Sequence, residues 1–206
     1  LEAMIGAFMT RVAPFNVNYR YVADELLYLL DNSQCRALVY HAAFAPTLAE
    51  VRDRLPRLEV LIQVADDSGN DLLPGAVDYE TVLAATDPVI DVRPSPDDLY
   101  ILYTGGTTGL PKGVVWRQED AFHSCIGGGD PARLEGAITT PEGIIERIAA
   151  EGSAAVFLPV APLMHAAAQW TSMSWLYAGG RVILMPGSLD PDAIWQAVGD
   201  EGVSPP

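Results

Sequence analysis

The chain has 206 residues, half of them apolar, and carries 12 Lys and Arg against 27 Asp and Glu, a formal net charge of −15 at pH 7. That balance argues against a nucleic-acid binder or a protein of anionic membrane surfaces, both of which need clustered cations, and the length buries one substantial core without requiring two domains. No apolar run approaches the roughly 18 to 20 residues of a membrane span, and no leader with a basic start is visible.

The chain opens on Leu1-Glu2-Ala3-Met4, without an initiator methionine, inside what reads as an amphipathic helix already under way. Val22, Leu26, Leu29 and Leu30 recur at helical spacing and predict one apolar face. Cys35 follows, between that helix and an Ala37-Leu38-Val39-Tyr40 strand, where a small buried side chain is the ordinary reading. Its distance in sequence from Cys125, with no CxxC or metal spacing, points to reduced thiols and a cytoplasmic chain.

Leu48, Val51 and Leu55 mark the next helix, and Val60-Leu61-Ile62-Gln63-Val64 the next strand. The polar turn Asp66-Asp67-Ser68-Gly69-Asn70-Asp71 lacks the spacing and distal glutamate of a calcium loop, so it reads as surface. Leu99-Tyr100-Ile101-Leu102-Tyr103 predicts a buried strand and Gly113-Val114-Val115-Trp116 a second one. Beyond them, Gly127-Gly128-Gly129-Asp130-Pro131 opens an excursion whose length and glycine content predict mobility. A cover over a binding site and a plain surface insertion both stay open for it.

A strand over Ala154-Ala155-Val156-Phe157-Leu158 comes next, then a helix after His165 carrying Trp170, Met173, Trp175, Leu176 and Tyr177. Asp190-Pro191 is an N-cap and first-turn pair for a last helix with Ile194 and Val198 inward. The alternation of helix and strand predicts an α/β fold of layered sheets with flanking helices.

Between the two central strands, Thr104-Gly105-Gly106-Thr107-Thr108-Gly109-Leu110-Pro111-Lys112-Gly113 concentrates glycines, threonine hydroxyls and one lysine. Glycines let backbone N–H groups approach an anion, hydroxyls add donors, and a lysine supplies a compact positive charge. Pro111 stiffens the end of the loop next to Lys112, while the glycine end stays pliant. A Walker A loop is excluded, because Lys112 follows a proline and precedes Gly113 rather than a Ser or Thr.

This loop resembles the phosphate-binding signature of the acyl-adenylate-forming enzymes, which include acyl-CoA synthetases, peptide-synthetase adenylation domains and luciferases. Gly6-Ala7, Pro14-Phe15-Asn16-Val17-Asn18, Tyr21 and Glu25-Leu26 resemble the family's first conserved stretch. Pro162-Leu163-Met164-His165 with the later Gly179-Gly180 turn resembles its proline-leucine-x-histidine region. Gly105, where many relatives carry serine, and the continuation Val115-Trp116-Arg117-Gln118-Glu119-Asp120 are similar to bacterial fatty-acid and steroid-side-chain acyl-CoA synthetases.

The resemblance implies ATP-dependent conversion of a carboxylic acid to an acyl-adenylate, then a thioester with coenzyme A, with Mg²⁺ accompanying the nucleotide. It implies nucleotide contacts from Thr104, Gly105, Gly106, Thr107, Thr108, Gly109 and Lys112, with Lys112 catalytic, and contact of His165 with the acid. It implies no resident protein metal site, no nucleic acid, and admits a homodimer. His41 and His123 lack such context and read as helix-end or surface residues. The family's tyrosine-glycine-x-threonine-glutamate motif, ribose-binding aspartate and C-terminal lysine have no counterpart, so residues 1–206 are expected to be one incomplete N-terminal region, inactive alone. A non-catalytic nucleotide-binding remnant, or an adenylating enzyme that loads a carrier protein, are the competing expectations.

Overall fold

The computed structural model describes residues 1–85, 91–106, 109–130, 136, 138–151, 155–185, 187 and 189–204. The chain forms two compact units: Leu1–Ser95 with Ile101–Val114, and Pro96–Tyr100 with Val115–Pro206.

In the first unit, α1 (Glu2–Met9) precedes α2 (Ala23–Asn32), β1 (Ala37–His41), α3 (Ala45–Val51), β2 (Val60–Val64), β3 (Val77–Asp78) and α4 (Tyr79–Ala85). The three strands form a parallel sheet in the order β1-β2-β3, with Ala37 opposite Val60. Helix α3 supplies the crossover between β1 and β2 that is usual for parallel neighbours, whereas β2 reaches β3 through the segment 65–76. The core joins α2 and α3 to the sheet: Leu30, Leu48, Val51 and Leu61 are each 1% exposed. Leu29, at 0%, completes the inward face of α2. Val22 departs from the predicted face, because it is the extended N-cap of α2 and is 63% exposed.

Gln63 is the buried polar group of this sheet, and both ends of its amide are bonded. Its Oε1 accepts from Tyr40 Oη at 2.9 Å and from Leu73 N–H at 3.2 Å, while Nε2 donates to the Asp71 carbonyl at 3.2 Å. A buried amide bonded at both ends costs little and fixes what it touches. Here it docks the end of the 66–71 turn onto the sheet, while Asp66 accepts the N–H groups of Ala43 and Ser68.

Strand β4 (Leu99–Gly106) pairs with β5 (Gly109–Arg117), and both cross from one unit into the other. Two strands separated by two residues can pair only as an antiparallel hairpin. The expected buried strand is one-sided: Tyr100 and Leu102 are buried, whereas Leu99 is 43% exposed.

The second unit contains α5 (Gln118–Ser124), α6 (Pro141–Glu151), β6 (Val156–Phe157), α7 (Ala166–Tyr177), β7 (Arg181–Val182) and α8 (Pro191–Glu201), with β6 and β7 parallel. Asp190 caps α8 by accepting from the N–H groups of Asp192 and Ala193, and Gly202 ends it in the left-handed region. Ser204 then returns to β6, its Oγ accepting from Val156 N–H at 3.0 Å.

Helix α7 buries polar side chains beside apolar ones. Its buried residues are Ala168, Gln169, Ser172, Met173 and Ser174, whereas Leu176 and Tyr177 are exposed. Burial of polar atoms is tolerated because each is bonded. Ser172 Oγ donates to the Ala168 carbonyl at 2.7 Å, Ser174 Oγ to the Ile126 carbonyl, and Gln169 accepts from Tyr100 Oη.

The excursion after Gly127, predicted to be mobile, is tied down at its described residues. Asp130 is 7% exposed, faces Arg147 at 3.7 Å, and accepts from Gly136 N–H at 3.0 Å. Among the described residues no helix is long and apolar enough to cross a membrane.

Candidate functional site

The described part of the signature lies on two strands. β4 runs to Gly106 and β5 starts at Gly109, so both strands continue into the signature. Thr104 and Gly105 are exposed on the first strand, and Gly109 and Lys112 on the second. The predicted contacts of Thr107 and Thr108 lie outside the described residues, and Gly106 is described by its backbone alone.

The glycines of this hairpin differ in their surroundings. A Cβ on Gly105 or Gly109 would meet no described atom within 4 Å, and neither has a positive φ. Gly113 is tight: its Cβ would lie 3.1 Å from the Tyr103 ring and 3.2 Å from Ile101 Cγ2. Glycine within a strand weakens it by roughly 0.5–1 kcal/mol relative to alanine. Packing accounts for that cost at Gly113, and nothing in the fold accounts for it at Gly105 or Gly109.

Lys112 is the chain's single lysine. It is exposed and makes no ion pair among the described residues. Its strand neighbour in charge, Arg117, behaves otherwise, meeting Asp97 at 2.7 Å, Glu119 at 3.0 Å and Asp120 at 3.1 Å. Three carboxylates hold Arg117 in place, so Lys112 is the cation of β5 that an incoming anion meets unpaired.

Sequence reading missed the support beneath the hairpin. Tyr28 Oη donates to the Pro111 carbonyl at 3.1 Å, and Tyr103 Oη donates to Asn32 Oδ1 at 2.8 Å. The Phe15 ring lies 5.5 Å from that of Tyr103. Burial raises the Tyr103 hydroxyl above its ordinary pKa of 10.0, with neighbouring Tyr28 adding to the shift. The available signal was the i, i+4 spacing of Tyr28 and Asn32, which puts both on one helix face away from Leu26 and Leu30.

His165 stands in the second unit as the extended N-cap of α7. Its N–H donates to the Pro162 carbonyl at 3.0 Å and its carbonyl accepts from Gln169 N–H at 3.1 Å, while the ring is exposed. Gln169 Nε2 reaches back to the Leu163 carbonyl at 3.3 Å, so the turn holding His165 is bonded on both sides. His41 closes β1 at the surface, 3.9 Å from Asp66, and His123 lies in the last turn of α5 against Phe122.

A cavity of about 660 Å³ in the first unit is lined by Met4, Val12, Phe15, Tyr21, Tyr40 and Phe44 among others, and by none of the predicted site residues. Among the described residues no group of three or more His, Cys, Asp or Glu could hold a metal ion. Cys35 and Cys125 are free thiols; burial pushes Cys35 up to about 11, which makes it a poor nucleophile near neutrality.

Residues 1–204 match the family described as AMP-binding enzyme. The chain is 54% identical over 184 residues to the medium-chain acyl-CoA ligase Mig of Mycobacterium avium, covering 89% of this chain and 33% of that protein. It is 37% identical over 206 residues to a 3-oxocholest-4-en-26-oate–CoA ligase of Rhodococcus rhodochrous, covering 99% of this chain and 37% of that protein. The chain thus spans about a third of the length of these relatives. Among solved structures, the acetoacetyl-CoA synthetase of Streptomyces lividans shares the fold at a TM-score of 0.69, with 22% identity over 98% of this chain and 30% of that one.

Proposed function

The chain belongs to the AMP-binding enzyme family, and on that premise we propose that the protein activates a carboxylic acid with ATP and passes the acyl group to the thiol of coenzyme A. A carboxylate oxygen attacks the α-phosphorus, the bond from that phosphorus to the bridging oxygen breaks, and pyrophosphate leaves. The thiol sulfur then attacks the acyl carbon, forming the thioester and expelling AMP. The observation that carries this reading is the exposed, unpaired Lys112 at the end of a hairpin whose Gly105 and Gly109 stand open without any need in the fold.

The protein's part in the first step is electrostatic. Thr104, Thr107, Thr108, the amides of Gly105, Gly106 and Gly109, and Lys112 grip the β- and γ-phosphates. They oppose the charge that builds on departing pyrophosphate, which is where fixed donors lower a barrier most. Mg²⁺ would accompany ATP as part of the substrate and would supply charge neutralisation at the phosphates.

His165, at the turn into α7, orients the acid. The relatives named for medium-chain acyl groups and for a steroid side-chain acid support an apolar carboxylic acid as substrate. The free Cys35 and Cys125 support a reducing, cytoplasmic setting.

The test is ATP–pyrophosphate exchange with radiolabelled pyrophosphate, by the protein as its gene encodes it, across short, medium, long and steroidal acids. Exchange that requires a medium-chain or steroidal acid is the expected result. A folded protein that binds ATP and exchanges with none of the acids would be a nucleotide-binding remnant instead.

A further inference from the structure

We propose that Tyr28 and Asn32 of α2 are positioning residues of the phosphate site, holding the hairpin from below so that Lys112 is presented to the ligand in a fixed place. This rests on the reading of the hairpin as a phosphate grip.

The residues on either side of Lys112 are both held. Before it, Pro111 has its φ fixed by its ring, and its carbonyl accepts from Tyr28 Oη at 3.1 Å. After it, Gly113 lies against the Tyr103 ring, so closely that a Cβ would stand 3.1 Å from that ring. Tyr103 is in turn fixed by its bond to Asn32 Oδ1 at 2.8 Å. The Lys112 carbonyl faces Thr104 Oγ1 across the hairpin at 3.5 Å.

Both supports come from one rigid element. Tyr28 and Asn32 are one helical turn apart on α2, and the opposite face of that helix carries Leu26 and Leu30 into the core at 8% and 1% exposure. Hydrogen bonds to a fixed carbonyl and a fixed ring set where a strand lies relative to its helix, and small displacements of a positioned charge are costly to catalysis. Without these bonds the lysine remains exposed but is no longer placed.

Lys112 is the single lysine of these 206 residues. The protein as its gene encodes it is treated with an amine-reactive reagent at increasing inorganic pyrophosphate, and peptide mapping reads labelled Lys112 apart from every other amine. Pyrophosphate is expected to protect Lys112 in the unaltered chain. In Tyr28→Phe and in Asn32→Ala the concentration giving half protection is expected to rise roughly tenfold, the loss of one well-placed hydrogen bond. Tyr103→Phe removes the same bond as Asn32→Ala, so their combination is expected to cost no more than either alone. Thermal midpoints and the unprotected labelling rate stay within error of the unaltered chain.

No protection of Lys112 in the unaltered chain overturns the phosphate reading and the positioning role together. Protection that persists at the same pyrophosphate concentration in Tyr28→Phe and Asn32→Ala overturns the positioning role alone. A loss of protection that tracks a lowered thermal midpoint also overturns it, since that marks a general structural contribution.

Discussion

Gly105 and Gly109 of the β4–β5 hairpin look onto open space, whereas Gly127 and Gly143 of the later excursion are packed against their neighbours. A Cβ on Gly127, whose φ is +80°, would come 3.2 Å from Ser174 Oγ, and one on Gly143 would come 2.8 Å from Ile138 Cγ2. In the excursion, glycine is required by backbone conformation and by close packing within the chain itself. In the hairpin no such requirement exists at Gly105 or Gly109, so the requirement is assigned to a molecule that approaches the backbone from outside. Glycine content alone does not separate these two pairs; backbone φ and the distance to the nearest described side chain do.

The strongest test of that contrast is Lys112→Ala. Single-turnover adenylation is expected to fall on the order of 10²-fold, with a smaller change in the KM for ATP, as for other lost transition-state donors. An unchanged rate would leave the open hairpin without a task. Gly127→Ala should do the reverse, lowering stability to urea by roughly 1–3 kcal/mol through its left-handed backbone while sparing the chemistry per folded molecule.

Gly105→Ala divides the two explanations most sharply, because stability and activity are expected to move in opposite directions. Unfolding should become roughly 0.5–1 kcal/mol harder, since alanine suits a strand better, while adenylation drops several-fold. A faster or equal rate in that variant would mean that nothing approaches this backbone.

The smallest effect is one of alkali. Burial raises Cys35 from 9.0 to about 11 and Tyr100 from 10.0 to about 12. Both groups hold their protons more tightly in the folded chain, so their stabilising contribution is complete below the ordinary values and is lost as pH climbs through the raised ones. Cys35 is near enough to Tyr103 to influence its hydroxyl, whereas Tyr100 bonds Gln169 of α7, the helix against which Gly127 lies. Urea titrations at successive pH values should therefore show loosening of the hairpin support between about 9 and 11, ahead of loosening around α7.

Much of this architecture was legible in the chain. The strand Val60–Val64 and the cap of α8 by Asp190 were predicted from local spacing alone, because each depends on residues within one or two turns of itself. The two strands of the hairpin were legible for the same reason, although each extends further than its apolar run. What resisted reading depends on partners far away in sequence: Tyr28 meets Pro111 across 83 residues and Tyr103 meets Asn32 across 71. The buried face of helix α7 was not legible for a related reason, since Gln169 and Ser174 are buried through partners distant in sequence, Tyr100 and Ile126. Leu99 to Tyr103 read as a uniformly buried run, yet a strand places alternate residues on opposite faces, and only Tyr100 and Leu102 are buried.

The four tryptophans, Trp116, Trp170, Trp175 and Trp195, all belong to the second unit, with Trp116 and Trp170 edge to face at 6.1 Å between centroids. The only lysine belongs to the first. Indole emission is therefore an intrinsic signal of one unit, while lysine chemistry addresses the other. A change in the tryptophan spectrum on adding a phosphate ligand at Lys112 would register communication from one half to the other with no dye attached.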